Sequence, residues 1–263
     1  MNGEGPEAGV ALVSGAAGGI GAAVARALAE AGTTVAAVDR DGDRLAAVVG
    51  KLAAEGLPVH AHPADVTSRA AVEALVEAVE QGTGPIGQLV CAAGVLRLSE
   101  ARWTSDEDWH ATLAVNTTGV FLLARAVVNR MVPRGYGAVV TVTSNAASTA
   151  RAGMAAYAAS KAAATAFTRC LGLEVARYGI RCNVVAPGST DTPMLHAMHP
   201  PGAAASAAVA GDPAAYRTAI PLGKVATPLD VAHAVRFLLS DRAGHITLET
   251  LTVDGGATLG TPA

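Results

Sequence analysis

Tyr157 and Lys161 stand four residues apart in the segment Ser144 to Lys161, SNAASTARAGMAAYAASK, which brings together a hydroxyl, a phenol and an ammonium. If the segment enters a helix near Met154, that spacing sets Tyr157 and Lys161 on one face, within reach of a shared ligand. A phenol with a pKa of about 10 is a poor base at neutral pH, and a fixed neighbouring cation favours its ionised form. The spacing therefore predicts that Lys161 lowers the pKa of Tyr157 and makes it a proton carrier. Ser144 follows the apolar, β-like run Ala138 to Thr143 and can meet the same substrate oxygen from the strand side. The alternative is a solvated helix face. The chain has four Tyr and only Lys51, Lys161 and Lys224 as lysines, so a chance pair at this spacing is uncommon.

A second group of residues has the chemistry of an anion site. The apolar run Val10 to Val13 breaks into Ser14-Gly15-Ala16-Ala17-Gly18-Gly19-Ile20-Gly21, and an Ala-rich amphipathic helix follows to about Ala31. Glycines in such a turn let the backbone approach a pyrophosphate, and the helix N-terminus offers free N–H groups and the positive end of its dipole. The spacing Gly15-x-x-x-Gly19-x-Gly21 departs from the common G-x-G-x-x-G fingerprint. Gly15, Ala17, Gly19, Ile20 and Gly21 are the candidate nucleotide contacts. A second strand, Thr33 to Val38, ends in Asp39-Arg40, roughly 20 residues after the turn, where a carboxylate takes ribose hydroxyls and repels a 2′-phosphate. NAD is thus favoured over NADP. Arg40 either welcomes that phosphate, stacks on the adenine or is solvated.

A helix around Arg44 to Ala54 and a strand from Pro58 to Ala64 lead to Asp65-Val66. Asp65 either accepts from an adenine amino group or caps the helix that follows from Ser68, and both roles are compatible. A helix from Ala70 to Glu80 precedes a strand ending Cys91-Ala92-Ala93-Gly94, whose small residues let a cofactor pass close to the backbone. Asn116 falls inside a helical run, Leu113 to Val127, where asparagine is a weak helix former. The strand Ile180 to Ala186 ends in Pro187-Gly188-Ser189-Thr190-Asp191-Thr192-Pro193-Met194, a backbone-rich turn suited to a nicotinamide carboxamide. From His196 to Ala219 periodicity fades, and this stretch is expected to be a mobile substrate cover at about 195–220. A helix Pro228 to Leu239 and a strand Leu248 to Val253 close the pattern.

Alternating strands and helices without an internal repeat predict a single-domain α/β fold over residues 1–263, a Rossmann-type doubly wound parallel sheet whose ligands sit beyond the strands' carboxyl ends. Apolar residues at 51% and charged residues at 16% suit a sheet buried on both faces. Net charge is −3, without a basic run, so no nucleic-acid partner is expected. The Gly/Pro-containing leader MNGEGPEAG lacks the parts of a signal peptide, and no apolar run is long enough to predict a membrane span, so the expected location is cytoplasmic. Cys91, Cys170 and Cys182 are odd in number and widely spaced, which predicts small buried residues and neither a disulfide framework nor a metal site.

Taken together, Ser14 to Gly21, Asp39, Asp65, Ala93-Gly94, Asn116, Ser144, Tyr157, Lys161 and Pro187-Gly188 resemble the short-chain dehydrogenase/reductase family across nearly the whole chain. The resemblance implies that Tyr157 is the general acid/base, Ser144 holds the reacting oxygen, Lys161 binds the nicotinamide ribose and tunes Tyr157, and Asn116 anchors a water relay. It also implies an assembly of subunits, a homotetramer, packed through long helices like those around Val120 and Phe167. One departure is Cys91-Ala92-Ala93-Gly94 in place of N-N-A-G, which removes any sheet-stabilising role of the first Asn.

AAGVLR, EDWH, RAGMAAYAASKAA, RCNVVAPGSTDT, IPLGK and HITLETLTVDGGATLG further resemble the branch of that family acting on dihydro-aromatic carboxylates. Its implied substrates are 2,3-dihydro-2,3-dihydroxybenzoate, of siderophore biosynthesis, and trans-2,3-dihydro-3-hydroxyanthranilate, of antibiotic biosynthesis. It implicates Arg97 and Arg151 as partners of the carboxylate, with Met194 beside the substrate; solvated surface arginines are the alternative. Two rival readings remain: a 3-oxoacyl carrier-protein reductase, which Asp39 argues against, and a non-catalytic NAD(H) sensor or scaffold, which the intact Asn116, Ser144, Tyr157 and Lys161 set argues against.

Overall fold

A computed structural model describes residues 9–258; the leader, residues 1–8, and the last residues, 259–263, lie outside them. The first half alternates β1 (Val10–Ser14), α1 (Gly19–Ala29), β2 (Val35–Asp39), α2 (Gly42–Ala54), β3 (Val59–Pro63), α3 (Arg69–Gly82) and β4 (Ile86–Cys91). Then come α4 (Asp106–Leu113), a π turn (Ala114–Thr118), α5 (Gly119–Met131), β5 (Gly137–Val142), α6 (Ala155–Val175) and β6 (Ile180–Pro187). α7 (Pro193–His196), α8 (Ala204–Ala210), α9 (Pro228–Leu239) and β7 (Thr250–Val253) follow.

The seven strands form one sheet in the order β3-β2-β1-β4-β5-β6-β7, with every pairing parallel. Strand order reverses between β1 and β4, which opens a crevice beyond their carboxyl ends. Successive strand residues serve opposite faces. Ala11, Val13 and Val90 pack with Val24 and Leu28 of α1, Leu45 of α2 and Val235 of α9. Leu12, Leu89 and Val139 pack on the other side with Val76 of α3, Leu123 and Val127 of α5 and Ala164 of α6. Two covered faces explain why β1 and β4 are buried at every position, each buried Val or Leu contributing about 1.5–3 kcal/mol.

Several local expectations are revised. Ser68, not Asp65, caps α3, accepting from the Ala71 N–H at 3.3 Å. Asp65 instead closes a turn with Thr67, accepting from its N–H and its hydroxyl at 2.8 Å each. The stretch from His196 to Ala219 is not without structure: α8 forms there, and Leu195, Ala204 and Ala208 make a small core with Val225. Alanine's high helix propensity sustains α8 although the apolar period is faint. Cys91 and Cys182 are buried, whereas Cys170 is exposed on the outer side of α6. The continuous helical run Asp106–Arg134 is long and apolar enough to cross a bilayer by length and composition, but half of its apolar window is buried inside the domain.

The helical run containing Asn116 is interrupted where Asn116 sits, by the π turn. A π turn shifts the backbone bonding by one residue and turns side chains that an unbroken helix would not. Asn116 is fully buried there. Its Oδ1 accepts from the Val95 N–H at 2.8 Å, and its Nδ2 donates to the Val95 carbonyl at 2.9 Å and to Ser160 Oγ at 3.0 Å. The amide thus pairs with a backbone residue as a neighbouring strand would, and ties the segment after β4 to α6.

Candidate active site

The crevice between β1 and β4 is floored by the glycine turn. Gly15 and Gly19 take φ values of +74° and +56°, which side chains disfavour, and a Cβ on Gly15 would lie 2.8 Å from the Ala93 nitrogen. Among the described residues no side chain caps α1, and its first turn holds no acid, so its free N–H groups and dipole face the cleft uncompensated. The cleft has a volume of about 360 Å³ and is lined by Gly15, Ala17, Gly19, Ile20, Gly21, Asp39, Arg40, Asp65, Val66, Ala93, Gly94 and Thr192, among others. The nucleotide candidates at the start of the chain therefore converge on one surface. Asp39 Oδ2 accepts from the Ala17 N–H at 3.2 Å and Oδ1 from the Asp41 N–H at 3.1 Å, which fixes the carboxylate at the edge of the turn. Arg44, which carried no signal in the sequence, also lines this cleft, with Nη2 3.1 Å from where a Gly18 Cβ would stand. A bare helix N-terminus, close-approach glycines and a fixed carboxylate fit a nicotinamide dinucleotide.

Ser14 supplies what Cys91 does not. Its Oγ accepts from the Ala92 and Ala93 N–H groups at 3.1 and 3.3 Å and lies 3.3 Å from the Val90 carbonyl, to which it donates. A hydroxyl on β1 thereby stitches the end of β4.

α6 begins at Ala155, after Met154, and presents Tyr157 and Lys161 on its buried face. Ser144 lies beyond β5, its Oγ accepting from the Ala146 N–H at 3.1 Å and hydrogen-bonded to the Tyr157 phenol. The expectation that Lys161 lowers the Tyr157 pKa is not met. Burial pushes the phenol up, and the opposing pull comes from the Ser144 hydroxyl. The lysine Nζ is 5.8 Å from the Tyr157 ring centre and donates to the Val142 carbonyl at 3.0 Å, so its charge is directed at the strand and at the cofactor cleft beside Gly94. Burial also pulls Lys161 itself down to about 8.

A second cavity of about 110 Å³ opens over Ser144 and Tyr157 and adjoins the first cleft through Ile20, Thr192 and Met194. Pro187, Gly188 and Thr190 line it, as does Arg151. Gly188 packs tightly: a Cβ there would stand 2.6 Å from the Asp254 Cβ. Arg97 is not brought to this cavity. It is half-exposed and pairs with Asp108 at 3.1 Å, because the segment that follows β4 places Leu96, not Arg97, in the lining. Arg217 does line the cavity and was not foreseen, since it lies in the stretch without periodicity.

Residues 9–201 match the family described as short chain dehydrogenase. The chain belongs to that family. A 2,3-dihydro-2,3-dihydroxybenzoate dehydrogenase of Bacillus subtilis (strain 168) is 51% identical over 99% of this chain and 100% of its own. The enzyme of that name from Escherichia coli (strain K12) is 41% identical over 94% of this chain and 96% of its own. Among solved structures, a gluconate 5-dehydrogenase from Burkholderia cenocepacia J2315 in complex with NADP and tartrate superposes with a TM-score of 0.88 at 33% identity, covering 96% of each chain. The chain is an oxidoreductase acting on a CH–OH group.

Proposed function

We propose that the enzyme oxidises the ring C3 hydroxyl of 2,3-dihydro-2,3-dihydroxybenzoate with NAD, giving the aromatic catechol carboxylate. The observation that carries this reading is the cavity over Ser144 and Tyr157, joined to the glycine-turn cleft and bordered by Arg151, in a chain half identical over its full length to a dehydrogenase of that name. The nicotinamide nucleotide supplies the hydride acceptor. Gly15, Gly19, Gly21 and the α1 N-terminus hold its phosphates, Asp39 its ribose hydroxyls, and Lys161 the sugar next to the reacting ring. Asp39 favours NAD over NADP because its carboxylate repels a 2′-phosphate.

Ser144 holds the substrate oxygen while Tyr157 takes its proton, as the C3–H bond breaks. Because burial favours the neutral phenol, the base form of Tyr157 grows with pH, and oxidation accelerates as pH rises above neutrality. The ring ketone then tautomerises to a phenol, and aromaticity makes the sequence one-way. Asn116 braces the Val95 segment against α6 and keeps Gly94 beside Lys161. The segment at about 195–220 serves as a cover over the substrate. A homotetramer agrees with the apolar Phe121 and Leu173 left exposed on α5 and α6, and light scattering tests it.

The deciding experiment offers 2,3-dihydro-2,3-dihydroxybenzoate and trans-2,3-dihydro-3-hydroxyanthranilate separately with NAD, follows NADH absorbance and identifies the product by chromatography. Turnover of the diol is expected. Preference for the amine moves the reaction to 3-hydroxyanthranilate, and turnover of neither, with NADH still bound, removes the dihydro-aromatic reading.

A further inference from the structure

Among the described residues, the cavity over Ser144 and Tyr157 is lined by two guanidinium groups, Arg151 and Arg217, and by no carboxylate. They reach it from different parts of the fold. Arg151 sits on the loop between Ser144 and α6, and Arg217 ends a closed loop of the stretch beyond α8. Among the described residues neither is in an ion pair. The two charges feel each other: after burial, Arg217 is the next cause that holds the Arg151 guanidinium below its ordinary value.

Asp254 is the acid that acts on Arg151, and it is already engaged. It accepts from Asn145 Nδ2 at 3.1 Å, from the Thr258 N–H at 3.1 Å and hydroxyl at 2.7 Å, and from the Gly256 N–H at 3.0 Å. Two like charges held partly out of water without a dedicated counter-ion are stabilised by an anion placed between them.

The loop that presents Arg217 is built for position. Asp212 and Arg217 exchange backbone hydrogen bonds at 2.9 and 2.8 Å, Asp212 caps the turn between them, and Tyr216 takes a left-handed φ of 54°. A Cβ on Gly211 would fall 2.6 Å from the Arg217 carbonyl. Such a loop fixes its last residue against the body of α8.

We infer that Arg217 and Arg151 form a two-part clamp for the carboxylate of the substrate, the anion drawing the segment that follows α8 onto the catalytic wall. The inference rests on the proposed reaction for the identity of the substrate, and on the cavity alone for its charge. It makes Arg217 a residue that selects anionic substrates and couples their binding to the cover.

The test compares wild type with Arg217→Gln and Arg217→Lys, each loaded with NADH. Calorimetry measures binding of 2,3-dihydroxybenzoate and of its uncharged amide, and parallel assays measure kcat and KM with the dihydrodiol acid. Wild type is expected to prefer the acid to the amide by about 30-fold, the order of one charged hydrogen-bonded contact. Arg217→Gln loses most of that preference through weaker acid binding, with amide binding within about threefold. Arg217→Lys regains part of it, and NADH affinity and melting temperature are unchanged in both. An acid preference that survives Arg217→Gln, or a wild type that fails to prefer the acid, overturns the clamp. Acid preference abolished by the variant while the dihydrodiol is not turned over keeps the clamp and removes the proposed reaction.

Discussion

Lys161 gives a prediction in which the sign can be worked from the structure. The residue is 4% exposed, and its ammonium is pulled from the ordinary 10.5 to about 8 by burial. Below pH 8 folded and unfolded chains both carry the proton, and the folded state bears the full cost of the buried charge. Between pH 8 and 10.5 the unfolded lysine keeps its proton while the folded one releases it. The unfolded state therefore binds more protons in that window, and stability from this group rises with pH by about 1.4 kcal/mol per pH unit, to a total of roughly 3 kcal/mol. Lys161→Met removes the titration but keeps the volume. The Val142 carbonyl loses its donor in the variant, a cost that is the same at every pH and leaves the slope untouched. Cys91 and Cys182, both pushed up to about 12 by burial, make the absolute stability fall over the same range, because their thiols ionise first in the unfolded chain. The Cys182 part of that background cancels when the variant is subtracted from wild type, and Cys91, which Lys161 pulls down against burial, leaves a smaller remainder. Urea unfolding of both proteins at half-unit steps from pH 6 to 10 reads the difference. It is expected to be flat to pH 7.5 and then to climb in favour of wild type by roughly 2 kcal/mol at pH 10. A difference constant within about 0.5 kcal/mol across the range would mean that Lys161 is not a buried, destabilised cation.

Three further outcomes follow from named contacts. Tyr157→Phe is expected to lower kcat by about 1000-fold or more while NADH binding, read by fluorescence, stays within about twofold of wild type; retained turnover would remove Tyr157 as the proton carrier. Asp39→Asn removes the charge that faces a 2′-phosphate but keeps an acceptor, so the ratio of kcat/KM for NAD to that for NADP should fall by about tenfold or more. An unchanged ratio would assign the choice elsewhere, with Arg40 and Arg44 the cations that line the same cleft. Ser14→Ala strands the Ala92 and Ala93 N–H groups and should cost about 2 kcal/mol in urea unfolding, whereas a loss under about 0.5 kcal/mol would show that the end of β4 is held without it.

Some of this site was legible in the sequence because its parts obey short-range rules. Tyr157 and Lys161 share a helix face by their spacing, the glycine turn announces a backbone that must come close to something, and Asp39 ends the strand the pattern assigns. Long-range consequences were not legible. Nothing in the run around Asn116 encodes that its amide will pair with Val95, because that bond needs the π turn and the path after β4 together. The relation of Lys161 to Tyr157 was misjudged for a similar reason. Spacing sets the face of a helix, but the electrostatics depend on depth, and with both groups buried desolvation is the leading cause acting on each.

The two arginines separate these cases most sharply. Arg97 and Arg151 look alike as sequence, each a cation shortly after a strand, yet one residue of path past Leu96, which lines the cavity, leaves Arg97 paired with Asp108 while Arg151 reaches it. Arg217 had no pattern around it, since an Ala-rich stretch carries no amphipathic period, and its place depends on Gly211, Asp212 and a left-handed Tyr216 closing a loop. Tyr157 and Lys161, the proposed proton carrier and its neighbour, belong to a long helix whose spacing declares them, and the charge that would choose the substrate sits on a segment whose only sequence mark is the absence of one. Changes confined to residues 211–217 should therefore alter which alcohol is oxidised while leaving the proton chemistry at Tyr157 intact. Substituting Gly211→Ala, whose Cβ would collide with the Arg217 backbone, should raise KM for the carboxylate substrate and spare NADH binding. Equal loss of both would mean that this loop supports the whole fold and not the substrate alone.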